Sequence, residues 1–338
     1  MTHVLRPATP GDLEAIYRMA KRTGGGFTNL PPDRAALRSR IADAVAAFGR
    51  KEDVLGDDHF FFVLEDSVTG KVIGTCQIFS RVGSIWPFYS YRIGTLTQYS
   101  KELDRTFKAD TLTLTTELDG STEVGGLYLH PEERSAGTGA LLARSRYLFM
   151  AMHRPRFAAR TIAELRGAHD EAGGSPFWDG VAGKFFGMSF RDADEFNALH
   201  GNQFIADLMP KHPLYLAMLP ETALAALGAP HHSGRAAMRM LESEGFVYDN
   251  YVDIFDGGPT MIVQTDRIAT IQQARGAMVA GIEGAPSGEA SIVAAGRLSA
   301  FRAAFGNVRP VEDGVIVDPE SAGLIRAKIG DTIIFAPR

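Results

Sequence analysis

Val124-Gly-Gly-Leu-Tyr-Leu-His-Pro-Glu-Glu-Arg-Ser-Ala-Gly-Thr-Gly-Ala140 is the stretch on which the reading of this chain turns. Its first half is a candidate strand over 123–130, halted by Pro131. The second half opens a helix, in which Leu141, Leu148 and Met152 share one face and which Pro155 ends. The string R-S-A-G-T-G at 134–139 thus sits where a strand becomes a helix. The first N–H groups of a helix lack intrahelical partners and carry the positive end of its dipole. Gly137 and Gly139 let a phosphate approach that backbone, and Arg134 adds charge to the same anion. A pyrophosphate is a natural ligand. The same two glycines fit a turn with no ligand equally well. No G-K-[ST] follows, as a Walker loop requires, and the G-x-G-x-x-G dinucleotide pattern is absent.

Outward from this junction, strands and helices interleave, which predicts an α/β (α+β) architecture. Upstream, residues 3–6 read as a strand. Thr9, Pro10 and Asp12 start a helix whose buried face is Leu13, Ile16, Tyr17 and Ala20. T-G-G-G-F at 23–27 breaks it, and a second helix is expected from Asp33 to Phe48. Residues 60–65 and 71–79 flank S-V-T-G as a hairpin. Further strands are expected at 86–97 and 110–117. Downstream, 161–166 reads as a strand, 175–186 as a short helix opened by Ser-Pro, and 193–209 as helical. Residues 234–244 form a helix with Ala237, Met240 and Leu241 facing in and Gly245 as its stop. A strand follows at 246–255, then the turn D-G-G-P. The Gly- and Ala-rich 275–290 is the best linker candidate, and the remainder holds short β-like runs at 315–317 and 332–336.

The 338 residues, 45% hydrophobic and 22% charged, suit a globular protein of about two domains. With 35 Lys+Arg against 40 Asp+Glu, a broad nucleic-acid surface is not expected. No run approaches the roughly 20 apolar residues of a membrane helix, and the first ten residues lack a signal-peptide apolar segment. The expected address is cytoplasmic, with no membrane partner. One cysteine, Cys76, excludes an intrachain disulfide and reads as buried and inert. The nine histidines show no H-E-x-x-H or similar spacing, so no metal is expected. Phe177 and Trp178 read as core.

R-x-x-G-x-G/A after a strand resembles the coenzyme A pyrophosphate loop of the GNAT N-acyltransferase superfamily, and R-P-A-T-P-G-D-L at 6–13 is similar to its first strand-to-helix turn. The likeness is closer to one family, the arginine N-succinyltransferases. T-G-G-G-F-T-N-L-P (23–31), P-F-Y-S-Y-R-I-G-T-L (87–96), A-E-L-R-G (163–167), S-P-F-W-D (175–179), Q-F-I-A-D-L-M-P-K-H-P-L-Y (203–215) and Y-V-D-I-F-D-G-G-P-T (251–260) carry it, across nearly the whole chain. The resemblance implies a GNAT-like, succinyl-CoA-binding core over 1–190. It implies a second α/β portion over 191–275, which could be a partial duplication, and a small β-rich C-terminal piece over 276–338. It implies transfer of succinyl from succinyl-CoA, a co-substrate rather than a resident cofactor, to the α-amino group of L-arginine in arginine catabolism. Leu127 matches a position that binds succinyl-CoA. Leu129, Arg134, Gly137, Thr138 and Gly139 fall in the same cofactor region. His231, in G-A-P-H-H-S-G, matches a catalytic histidine described as a proton donor. This chain has His-His-Ser-Gly where the family has His-Pro-x-Thr, so His232 competes for the role. Ornithine as acceptor, or a weakly active coenzyme A-binding subunit, are the alternatives. A homo-oligomer or pairing with a similar subunit fits the family.

The chemistry of such a transfer names further candidates. The amine must lose a proton, the oxyanion needs N–H donors, and the thiolate benefits from a proton. An imidazole can serve the proton steps. The succinyl carboxylate calls for an arginine, with Arg92 and Arg166 as candidates, or each merely pairs with a nearby acid. The substrate's guanidinium calls for an acid. Glu123, Glu164 and Asp256 are candidates, Asp256 reading equally as a turn-former.

Overall fold

The computed structural model describes residues 3–23, 29–134, 137–170, 173–201, 203–284 and 288–338. The helix break expected at 23–27 falls outside them beyond Thr23, as do Ser135 and Ala136 of the glycine-rich string.

The chain opens with β1 (His3–Pro7), α1 (Leu13–Ala20) and α2 (Arg34–Gly49). Asp33 caps α2 by accepting from Ala36 N at 2.7 Å, and Leu37, Ile41, Ala44 and Phe48 recur on its buried face. The expected hairpin is β2 (His59–Asp66) with β3 (Val72–Phe79). A long second hairpin, β4 (Ser90–Ser100) and β5 (Arg105–Thr115), precedes β6 (Thr122–Leu129), α3 (Thr138–Met152) and β7 (Arg160–Glu164). Short helices follow: α4 (Pro176–Gly180), α5 (Gly183–Phe186), α6 (Phe190–His200) and α7 (Gln203–Leu208). After β8 (Leu214–Tyr215) come α8 (Glu221–Ala226), α9 (Arg235–Ser243), β9 (Val247–Asp253), β10 (Pro259–Gln264) and α10 (Ala269–Gln273).

The segment expected to be a linker is instead strand β11 (Arg275–Ile282), followed by β12 (Glu289–Ala295). Its small residues fit close strand packing as well as they fit a linker. A Cβ on Gly281 would already stand 3.4 Å from the Ile316 side chain. With β13 (Arg302–Val311), β14 (Gly314–Val317) and β15 (Thr332–Pro337), these strands close a five-membered ring, β12-β15-β11-β14-β13, because β12 also pairs with β13. Helix α11 (Pro319–Ile325) contributes Ala322 and Ile325 to the apolar cluster of that ring, beside Val279, Val293, Val317 and Phe335.

One sheet runs through the molecule in the order β13-β1-β2-β3-β6-β7-β10-β9-β4-β5-β8 beyond the ring. The main core lies between the β1–β2–β3 sheet and α2 and α3. Phe149 stacks edge-on against Phe48, Phe60, Phe62 and Phe301, with ring centroids 4.8 to 5.8 Å apart. Phe301 comes from the C-terminal portion, so that portion is anchored on the same aromatic cluster. A second core gathers Phe177, Trp178, Phe190 and Phe255, so the two aromatic residues of 175–179 are core as expected. Cys76 is fully buried, and burial pushes its thiol up to about 12. No described helix is long and apolar enough to cross a membrane.

His153, just past α3, has no exposed surface. Across the seam to the C-terminal portion, its Nε2 accepts from Leu298 N (3.3 Å) and its Nδ1 lies 3.1 Å from the Arg297 guanidinium, while Asp53 stands 3.6 Å from the same Nδ1. Burial, helped by the Arg297 charge, holds this imidazole down at about 4. The unfolded chain binds a proton there below about 6.5 while the folded chain stays neutral until about 4. Stability therefore falls as pH drops through that window. From pH 7 to pH 4.5 the protein should lose about 2–3 kcal/mol more than His153→Gln, which has no such proton to bind. Urea denaturation of both at the two pH values checks this, and equal losses would refute it.

Candidate active site

Strands β6 and β7 pair in parallel only at Thr122↔Thr161 and Glu123↔Ile162, and then part. The gap between them is a cleft of about 960 Å³. Val124, Gly125, Gly126, Leu127 and Tyr128 form one wall, and Ala163, Glu164, Leu165 and Arg166 the other. The parting has a local cause. Between β3 and β6 the register slips by one residue near Gly125–Tyr128, a β-bulge with Gly126 at φ +56°. A Cβ at Gly126 would stand 2.5 Å from Gln77 Nε2, so only glycine fits. The bulge is held from below. Thr75 Oγ1 donates to Gly126 O (3.0 Å), and the buried Arg146 donates to Gly125 O (3.3 Å). A bulge releases backbone groups from the ladder, here beside Leu127 in the cleft wall.

At the open end, Gly137 turns into α3 with φ +85° and has no side chain to cap that helix. Thr138 is buried at the first helical position, and the space around Gly139 is open. Arg134 lines the cleft and donates to Leu129 O at 3.2 Å. Leu129, expected beside the cofactor, turns its side chain into the core and offers only that carbonyl. Arg338 lies against this turn, its guanidinium 2.9 Å from where a Gly137 Cβ would be. No sequence pattern links Arg338 to a loop two hundred residues away.

His231 is brought to the β7 wall by backbone: its N–H donates to Arg166 O at 2.8 Å, next to a bridge between Gly167 and Pro230. Its Nδ1 faces Ser233, 2.7 Å from Oγ and 3.3 Å from the backbone N, which leaves Nε2 for the cleft. Burial, then the charges of Arg166, His232 and His169, hold the ring at about 4, so it is neutral at pH 7. His232 is exposed, stacks on His231 at 4.0 Å and does not line the cleft. Arg166 donates to His169 Nδ1 (2.6 Å), and its own Nε is buried without a partner.

The acids gather at the closed end. Glu164 Oε1 is buried with no hydrogen-bond partner, and burial with the nearby Asp253, Glu123 and Asp256 raises its pKa well above the carboxylate range. Asp253 is pushed up to about 8 by burial and by Asp256. Asp256 accepts from Gly167 N (2.7 Å) and Gly258 N (2.9 Å), so it is both the turn-former of D-G-G-P and a cleft residue. Glu123 accepts from Asn29 Nδ2 (2.9 Å) just behind the wall.

Leu127, Arg134, Glu164, Arg166, His231 and Asp256 therefore share one cleft, and Gly137 to Gly139 lie at its mouth. Arg92 does not join them. It pairs with Glu117 at 2.7 Å on the outer hairpin and rests over the Tyr251 ring. Its strand is paired on both sides, with Tyr251 of β9 and Thr113 of β5 opposite Arg92, but the side chain projects from the face open to solvent. Sequence reasoning missed Arg40, Arg146, Asp253 and Asn29, which reach the cleft only through packing. Among the described residues no group of three or more His, Cys, Asp and Glu side chains could hold a metal ion.

Two family models match the chain: arginine N-succinyltransferase beta subunit over residues 3–270, and the C-terminal domain of the same subunit over 275–337. A relative named arginine N-succinyltransferase from Enterobacter sp. (strain 638) is 41% identical over 335 residues, 98% of this chain and 96% of its own length. Another of that name from Salmonella schwarzengrund is 40% identical over 331 residues, with the same coverage. The solved structure of arginine/ornithine succinyltransferase subunit AI from Pseudomonas aeruginosa superposes with a TM-score of 0.91 at 33% identity, covering 99% of this chain and 98% of that one.

Proposed function

The chain belongs to the arginine N-succinyltransferase family and is an acyltransferase, and on that premise we propose that its cleft moves succinyl from succinyl-CoA to the α-amine of L-arginine. One observation carries the reading: a single groove joins a helix N-terminus, a bulged strand and a neutral histidine, with buried acids beside it. The pyrophosphate sits at the start of α3, near Arg134 and Gly137–Gly139. The pantetheine arm runs inward along β6, whose bulge beside Leu127 offers the thioester oxygen N–H donors as negative charge develops there. Residues 1–190 thus hold the coenzyme, 191–275 supply His231, and 276–338 brace the core.

In the transfer, the α-amine nitrogen attacks the thioester carbon and a C–N bond forms. The tetrahedral intermediate then collapses, the C–S bond breaks, and coenzyme A leaves as a thiolate. One proton must leave the amine and one must reach the sulfur. His231 suits this shuttle, because its neutral ring accepts at Nε2 and afterwards returns the proton as a donor. Nδ1–H donates to the Ser233 hydroxyl both before and after the transfer, which leaves Nε2 as the atom that takes and returns the proton. Glu164, Asp253 and Asp256 face the substrate's guanidinium, and Arg166 is placed for a carboxylate of the acceptor.

The Pseudomonas aeruginosa relative is described as an arginine/ornithine enzyme, which keeps ornithine as a second acceptor. The test is free thiol released from succinyl-CoA with L-arginine, with L-ornithine and with no amine, against acetyl-CoA controls. Arginine-dependent release that acetyl-CoA does not match is the expected result. No release with any pair would sink the reading for this chain alone and send the search to a partner subunit.

A further inference from the structure

Five arginines other than Arg166 line the cleft, and four of them have a side-chain partner or a role described above. Arg22 bonds His130, Arg134 holds Leu129 O, Arg144 pairs with Glu244 at 2.8 Å, and Arg146 supports the bulge from beneath. The fifth, Arg40, is different. It flanks the buried face of α2 and is pressed into the cleft wall, where burial lowers its pKa. A single donor is used, Nη1 to Asn29 O at 2.7 Å, and no described carboxylate lies within ion-pair distance. Glu123, the acid that shares its field, is itself pushed up by burial and is occupied by Asn29. A desolvated guanidinium with donors to spare is costly until an anion meets it.

Its position fixes which anion. Asn29 joins Arg40 to the bulge: the Asn29 carbonyl takes Arg40 and Gln77, and its amide lies 2.6 Å from where a Gly125 Cβ would be. Arg40 is thus tied through Asn29 to the bulged stretch of β6, the wall on which the thioester carbonyl is proposed to rest, whereas His231 is held on the β7 wall. An acyl chain attached at that carbonyl and directed away from the incoming amine ends there. Arg166, on the opposite wall with His231, is left for the acceptor.

We propose that Arg40 binds the terminal carboxylate of the acyl group and so makes this cleft select a dicarboxylic acyl chain over a neutral one. The proposal rests on the transfer reading above. Butyryl-CoA has the succinyl chain length with a methyl in place of the carboxylate, so it isolates the contact. In Arg40→Met, the ratio of kcat/KM for succinyl-CoA to that for butyryl-CoA should fall about 100-fold, through loss on the succinyl side alone. Arg40→Lys, which keeps the charge but not the fork, should recover part of it. An unchanged ratio, or equal losses with both thioesters, would overturn the proposal, equal losses marking Arg40 as merely structural. Calorimetric binding of the two thioesters without any amine separates this from the transfer reading. If the wild type transfers nothing, Arg40→Met must still weaken succinyl-CoA binding and spare butyryl-CoA, and equal weakening or none ends the proposal.

Discussion

His231→Ala is expected to lower kcat with succinyl-CoA and arginine by two to four orders of magnitude, about the share general acid–base catalysis contributes. The side chain sits half-buried at a turn against His169 and His232 and belongs to neither apolar core, so the fold persists. Succinyl-CoA affinity should stay within a few-fold, because the contacts proposed for the coenzyme lie on β6 and α3. His232→Ala, by contrast, should change kcat little, since that ring is outside the cleft. Steady-state kinetics of both variants decides between the two histidines. Full turnover in His231→Ala would remove this ring from the mechanism.

Glu164→Gln is expected to raise KM for arginine about 100-fold while leaving thermal stability nearly unchanged. Burial and the neighbouring Asp253, Glu123 and Asp256 favour the protonated form of Glu164, and glutamine reproduces that neutral shape. When a guanidinium arrives, a carboxylate becomes the favoured form, and glutamine cannot supply one. Losing a charge-assisted hydrogen bond of this kind costs about 1.5–3 kcal/mol. The sign of the pH dependence follows. Glu164 and Asp253 bind protons in the free protein that they release on meeting a cation, so arginine binding liberates protons near pH 7 and tightens as pH rises. Calorimetry in buffers of different ionisation enthalpy measures the release, which should shrink in Glu164→Gln. A variant with unaltered KM and unaltered proton release would show that the guanidinium sits elsewhere.

Much of this site is legible in the chain because its parts are local. A bulge needs glycine where φ is positive, and Gly126 is adjacent in sequence to Leu127. A helix N-terminus that accepts an anion needs small residues at its first turn, and Gly137 and Gly139 are there. His231 was found through its resemblance to a family motif. The motif's altered ending leaves two histidines in contention, of which the structure places only His231 in the lining of the cleft. Arg92 shows the opposite case. Apolar strand neighbours flank a residue whichever face of the sheet it projects from, so no local pattern decides whether Arg92 is buried.

By itself, the sequence determined the alternation of strands and helices, the strand-to-helix junction at 124–140 and the family likeness. These depend on periodicity, caps and turn conformations set within a few residues. Only the tertiary structure decided that 275–282 is a strand in a closed ring, since small residues serve linkers and tight strand contacts equally. It alone decided that Arg40 and Asp253 face one cleft, that Arg338 lies against the Gly137 turn, and that Arg92 faces solvent. A buried charge is defined by what packs around it, and those neighbours come from elements far apart in the chain.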